Sequence, residues 1–181
     1  KIAAEALEYG RGLIKEGVKL REVTERVEEK IKTLNGDMAF PAQISINNVA
    51  AHYCPDINDN LEIKNGDLVK LDIGVHVDGK IGDCACSVDI GSNNKELIKA
   101  SQEALKAAIE KMMPGIELRE VGRAIEEVIK SYGFNPIKNL SGHEIEDYEV
   151  HAGLTVPNYD NNDRTKLKEE QVFAIEPFAT T

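Results

Sequence analysis

The chain repeats itself, and the repeat limits the folds open to it. The stretch ALEYGRGLIKEGVKLREVTERVEEKIK, starting at Ala6, aligns without a gap on ALKAAIEKMMPGIELREVGRAIEEVIK, starting at Ala104. Gly17 meets Gly115, the LREV tetrapeptides coincide at Leu20 and Leu118, and Glu28-Glu29 meet Glu126-Glu127. Self-similarity of this length means one supersecondary unit used twice. Each copy reads as a helix, a glycine-containing turn and a second helix. In the second helix apolar residues recur at helical spacing, Val23, Val27 and Ile31 in one copy and Val121, Ile125 and Ile129 in the other. Strand-rich sequence follows each pair, from about Ala39 to Ile90 and from about Pro136 onward. The expectation is an α+β fold with internal pseudo-twofold symmetry, in which helices cover one face of an antiparallel sheet and leave the other for chemistry.

The first strand-rich stretch carries a hairpin signal. In LDIGVHVDGKIGD, Asp78-Gly79 separates two runs with alternating apolar residues, the pattern of a two-residue turn. With those two at the centre of the turn, cross-strand partners have numbers that add to 157, so Asp72 faces Ala85 and Gly74 faces Asp83. Side chains alternate with period two, which puts Asp72 and Asp83 on one face as a diagonal pair with Cβ atoms about 7 Å apart. Carboxylates this close repel unless cations lie between them. A pair of such cations is one reading, and a polar outer face of the hairpin is the other.

Extending the repeat beyond the helices brings further polar residues into correspondence. His52 in NNVAAHYCP matches His151 in YEVHAGLTVP across a small gap, and LEIKNGDLVKLD matches TKLKEEQVFAIE, so that Asp72 corresponds to Glu176. Equivalent carboxylates in two half-domains would converge on the pseudo-twofold axis.

Composition excludes several classes. The 181 residues are 41% hydrophobic, enough for a core, with five Tyr, four Phe and no Trp. A net charge of −10 argues against nucleic-acid binding through phosphate neutralisation. No apolar run has the length of a membrane span and no signal-peptide pattern opens the chain. Three cysteines, Cys54, Cys84 and Cys86, are an odd number, and two alternate along one proposed strand, so a disulfide framework is not expected and a reducing cytoplasm is. Soft-metal binding by the C-x-C pair is the lesser alternative to strand packing.

In order along the chain, AFPAQISINNVAAHYCP, VKLDIGVHVDGKIGDCA, KNLSGHEI, VHAGLTVPN and FAIEPFAT resemble the motifs of methionine aminopeptidases, specifically the type II branch of archaea and eukaryotes, within peptidase family M24. The resemblance spans nearly the whole chain. It implies the pita-bread fold and a cytoplasmic hydrolase that removes the initiator methionine from nascent polypeptides near the ribosome, by water activated on two divalent metal ions. Cobalt, manganese, iron and zinc all suit carboxylates with one imidazole, and the sequence does not choose among them. Carried over by motif, Asp72 chelates one metal, Asp83 bridges both, and His143 and Glu176 bind the other. Glu176 also becomes the proton shuttle. His52 is expected to face the scissile amide nitrogen and His151 its carbonyl oxygen, and Phe40 to form a wall of the methionine side-chain pocket. Outside such a pattern each histidine would read as a packed or surface residue, and Phe40 as core. His76 reads as a supporting or structural residue. NYDNNDRT, 158–165, has the composition of a solvated loop, and the Glu-Lys runs read as exposed helix faces with local ion pairs.

The family pattern contains a fifth ligand, a late bridging Glu, and a helical insertion, and no segment here matches either. The expectation is therefore a single catalytic domain over 1–181, truncated at both ends, with halves at about 1–92 and 93–181 and with little or no activity by itself. Two rival readings stand beside this one. A proline-specific peptidase of the same fold would use a similar ligand set, and a non-catalytic, ribosome-associated binding protein of the fold would need none.

Overall fold

Each copy of the repeat folds as a helix pair followed by antiparallel strands. The structure is a computed structural model, which describes residues 1–91 and 93–181. The expected boundary between halves, at about 92, falls on Ser92, outside the described residues. Contacts within the chain group into two compact units, Lys1–Asn94 and Lys95–Thr181.

In the first unit, α1 (Ile2–Leu13) and α2 (Leu20–Thr33) precede a three-stranded antiparallel sheet of β1 (Asp37–Ile46), β2 (Leu68–Val77) and β3 (Lys80–Asp89), in that order. The apolar stripe of α2, Leu20, Val23, Val27 and Ile31, packs in one cluster with Val69, Leu71, Ile73 and Val75 of β2, all of them buried. Full burial of such an aliphatic side chain is worth about 1.5–3 kcal/mol. The alternate residues of β2, Lys70, Asp72, Gly74 and His76, take the opposite face by strand geometry. Helices on one face and polar residues on the other is the arrangement anticipated for this half. A Cβ on Gly10 would lie 2.5 Å from Leu71 Cδ2 and 2.6 Å from Val27 Cγ2, so a bare glycine is what lets α1 sit down on this layer.

The second unit contains α3 (Lys95–Lys111), α4 (Leu118–Ser131) and five short strands. Of these, β5 (Ser141–Ile145) lies between β6 (Thr155–Pro157) and β7 (Val172–Ala174), while β4 (Asn135–Pro136) pairs with β8 (Ala179–Thr180). Leu118, Val121, Ile125 and Ile129 of α4 pack with Val156 and Leu167.

The repeat persists at the level of single hydrogen bonds. Gly17 (φ 82°) donates to Ile63 O at 2.8 Å, and its counterpart Gly115 (φ 89°) donates to Leu167 O at 2.8 Å. Neither α2 nor α4 has a side-chain N-cap. Their first amides, orphaned by helix geometry, bond instead to loop carbonyls, Leu20 N to Leu61 O and Leu118 N to Thr165 O. Both helices end on a left-handed residue, Asn35 (φ 60°) and Gly133 (φ 82°), and the next amide returns to Ile31 O or Ile129 O.

Two details depart from the sequence reading. The second strand-rich stretch is mostly irregular backbone, with strands of two to five residues. The 158–165 segment is a loop exposed at Asn161, Asn162, Arg164 and Thr165, as expected, but its start is docked on the rest of the unit. Asn158 is 1% exposed, Asp160 Oδ2 accepts from Arg123 Nη2 at 2.6 Å, and Glu126 accepts from Asp160 N at 3.2 Å. The absence of a side chain on Gly122 admits the Tyr159 carbonyl against α4, where a Cβ would also lie 2.9 Å from Pro157 Cγ. The exposed helix faces do carry the anticipated local pairs, such as Arg21–Glu25 and Lys130–Glu126, each at 2.6 Å. Among the described residues no helix is long and apolar enough to cross a membrane.

Candidate metal and substrate site

The hairpin forms with the anticipated turn and register. Asp78 (φ 48°) and Gly79 (φ 85°) both occupy the left-handed region that a type I′ turn requires. Asp72 pairs with Ala85 and Gly74 with Asp83, so both carboxylates project from one face of β2 and β3. Both are half-buried. On the other side of β2, Gln43 of β1 lies opposite Asp72 and Phe40 opposite Gly74, with the register shifting on either side of Phe40. A Cβ on Gly74 would lie 2.9 Å from Phe40 Cζ and closer still to Cδ1 and Cε1. The ring therefore lies over Gly74, between Asp72 and His76 along β2. His76 is half-buried and pairs in register with Asp37.

His52 is exposed and has φ 67°, a conformation few non-glycine residues adopt. The next residue fixes it in place. Tyr53 O accepts from Ile44 N at 2.8 Å, and Tyr53 Oη donates to Asp59 Oδ2 at 2.5 Å, a bond that raises the phenol pKa. Sequence reasoning passed over Tyr53 and Asp59; a Tyr beside a candidate histidine is too common a pattern to flag them.

In the second unit, His143 lies at the centre of β5, paired with Thr155 of β6 and Ala174 of β7. The imidazole is buried, and its Nε2 lies 3.0 Å from Glu176 Oε1. The close approach depends on Gly142. A Cβ there would collide with the Ala174 carbonyl oxygen and lie 3.1 Å from Glu176 N. The other ring nitrogen, Nδ1, is 3.4 Å from Glu144 O. Donation from Nδ1 to that carbonyl leaves the Nε2 lone pair turned toward a carboxylate. Two acceptors at this distance need a proton or a cation between them. The exposed His151 packs edge-on against His143, ring centroids 4.2 Å apart. Its segment hangs on Glu144, whose backbone amide donates to Leu154 O and whose carbonyl accepts from Ala152 N.

The first unit sets Asp72 and Asp83 on one face of the hairpin with Phe40 over Gly74, and the second brings His143, His151 and Glu176 together; His52 lies exposed on the segment after β1. Carboxylate oxygens and an imidazole nitrogen are ligands for divalent first-row metals. The three cysteines are free thiols. Cys84 and Cys86 pack against the core of the first unit, and burial raises both thiols, Cys86 to about 11.

Residues 1–180 match the model of metallopeptidase family M24, and the chain belongs to that family. Among curated proteins it is 49% identical to a methionine aminopeptidase of Methanocaldococcus jannaschii and 50% identical to one of Pyrococcus abyssi. These matches cover 99% and 100% of this chain. The chain spans about three fifths of the length of those relatives, 61% and 62%. Among solved structures, the methionine aminopeptidase of Thermotoga maritima superposes with a TM-score of 0.89 at 32% identity, covering 99% of this chain and 76% of that one. The prolidase of Pyrococcus horikoshii gives 0.81 at 33% identity, covering 97% and 51%. The fold is the pita-bread fold of these peptidases.

Proposed function

We propose that the protein carrying this chain is a metal-dependent aminopeptidase that removes the initiator methionine from nascent polypeptides. Family membership and archaeal relatives of about 50% identity support the reaction class. The observation that carries the chemistry is the 3.0 Å pairing of His143 Nε2 with Glu176 Oε1, two donor atoms that a shared cation would satisfy. Asp72 and Asp83, on one face of a hairpin, supply the remaining ligands of the proposed set.

In this assignment Asp72, Asp83, His143 and Glu176 would hold two divalent ions, drawn from cobalt, manganese, iron or zinc. When bound, such ions activate water and polarise the scissile carbonyl. The protein's own groups do the rest. Glu176 accepts the proton of the attacking water and returns it to the leaving amine. In this reading His52 bonds the scissile amide nitrogen and His151 stabilises charge on its carbonyl oxygen. Phe40, lying over Gly74 beside Asp72, offers the methionine side chain an apolar wall. Free thiols fit a cytoplasmic setting, and nascent chains as substrate would bring the enzyme close to the ribosome.

The test compares peptides. The protein that carries these residues should release methionine from Met-Ala-Ser when loaded with cobalt or manganese, and should spare Xaa-Pro dipeptides. Preference for Xaa-Pro would instead assign a proline-specific peptidase, and turnover of neither would favour a binding role.

A further inference from the structure

Asn158 closes a pattern of contacts that the site description leaves unexplained. It follows β6 directly, is 1% exposed, and uses both ends of its amide. Nδ2 donates to Leu140 O at 2.9 Å, and Oδ1 accepts from Phe178 N at 3.3 Å. Leu140 lies three residues before His143, at the entry to β5. Phe178 lies two residues after Glu176.

Glu176 itself is not on a ladder. The pairing of β5 with β7 runs through His143↔Ala174 and ends there, and regular pairing resumes only at Pro136↔Ala179. Residues 175–178 lie outside the named strands. On the far side of Glu176 the chain is held at Phe178, where the carbonyl accepts from Ile137 N at 2.9 Å and the amide donates to Asn158. A single buried side chain therefore joins the strand entry that carries His143 to the tether beyond Glu176. An amide suits the place, because it donates from one end and accepts at the other; a carboxylate would keep the acceptor and lose the donor.

We propose that Asn158 is a positioning residue that sets the separation of His143 and Glu176 and so tunes the cation affinity of that pair. The inference rests on the proposed function for the identity of the ligand, but its geometric part does not. Partners that orient metal ligands typically change affinity by roughly 10–100-fold when removed.

The experiment uses the whole chain with Asn158→Asp and Asn158→Ala, and Ile129→Val as a core-weakening control in α4 away from the ligands. Cobalt binding is measured by calorimetry. The imidazole resonances of His143 and the exchange rate of the Phe178 amide are measured by NMR without metal. The expected result is cobalt affinity lower by at least about tenfold in both Asn158 variants, with shifted His143 resonances, and wild-type affinity in Ile129→Val. In the metal-free spectra Asn158→Asp should keep Phe178 N–H protected while Asn158→Ala does not. Wild-type affinity and unmoved His143 resonances in the Asn158 variants would overturn the proposal, as would an equal loss in Ile129→Val. So would failure of Asn158→Asp to fold where Ile129→Val folds, which would make Asn158 a folding determinant. If the wild-type chain binds no cobalt, the functional reading fails, and the metal-free His143 resonances still decide the positioning claim.

Discussion

His143 Nε2 and Glu176 Oε1 stand 3.0 Å apart, an approach permitted by the missing side chain on Gly142 just before the histidine. A Cβ at Gly142 would meet the Ala174 carbonyl, which belongs to the strand leading into Glu176. Gly142→Ala must therefore push β7 away from β5 or distort both. Overpacking of this kind costs about 1–3 kcal/mol. Urea unfolding should show that loss, and cobalt affinity should fall with it; a variant of wild-type stability and affinity would mean that the strands yield freely.

Gly74 plays the corresponding part in the first unit. Its bare Cα seats the Phe40 ring, and Gly74→Ala would drive that ring off β2. The expected stability loss is again about 1–3 kcal/mol. With Phe40 as a pocket wall, KM for a Met-Ala-Ser peptide should rise by more than kcat falls. An unchanged KM would remove Phe40 from the substrate pocket and leave it as a core residue.

These two glycines show why parts of the chain were legible and parts were not. The hairpin could be derived from its sequence because alternation and an Asp-Gly turn are local signals, and the register followed by arithmetic. The helix pairs were legible because each apolar stripe occurs twice at one offset. The docking of 158–165 was hidden, since it depends on Arg123, Glu126 and the bare face of Gly122, more than thirty residues away. A run of Asn and Asp looks the same in sequence whether it is solvated or bound to a helix. The seat of Phe40 over Gly74 was hidden for a similar reason, because cross-strand packing has no sequence period of its own.

The docked loop makes stability depend on acid. Glu126 accepts from Lys130 Nζ at 2.6 Å and from Asp160 N, and its pKa is lowered, chiefly by Lys130. The folded state then binds fewer protons than the unfolded state in the window just below the ordinary carboxylate range. The contribution of Glu126 is complete above its unfolded pKa and is lost as pH falls through the lower folded value. Glu126→Gln should be less stable than wild type at pH 7, with the gap narrowing below about pH 4.5. A gap that is constant between pH 7 and pH 3 would exclude the ion pair as its source.

Thiol labelling tests the packing of the first sheet. Cys54 is exposed, whereas Cys84 and Cys86 are half-buried against the core, with Cys86 pushed up to about 11 by burial. At pH 8 the Cys86 thiolate fraction is then about one in a thousand, and the thiolate is the reactive form. Iodoacetamide should modify Cys54 first and the other two only on unfolding, as read by mass spectrometry. Rapid labelling of all three in the native protein would contradict the register of β3.

Under the proposed function, Asp72, Asp83, His143 and Glu176 act as one cation-binding set. The most direct test of that claim is calorimetric titration of cobalt or manganese into the wild-type chain and into Asp83→Asn and His143→Ala. The account predicts saturable binding by the wild-type chain and affinity lower by roughly 100-fold or more in either variant, since each removes a direct ligand. Wild-type binding that survives both substitutions unchanged, or a wild-type chain that binds neither metal, would contradict it.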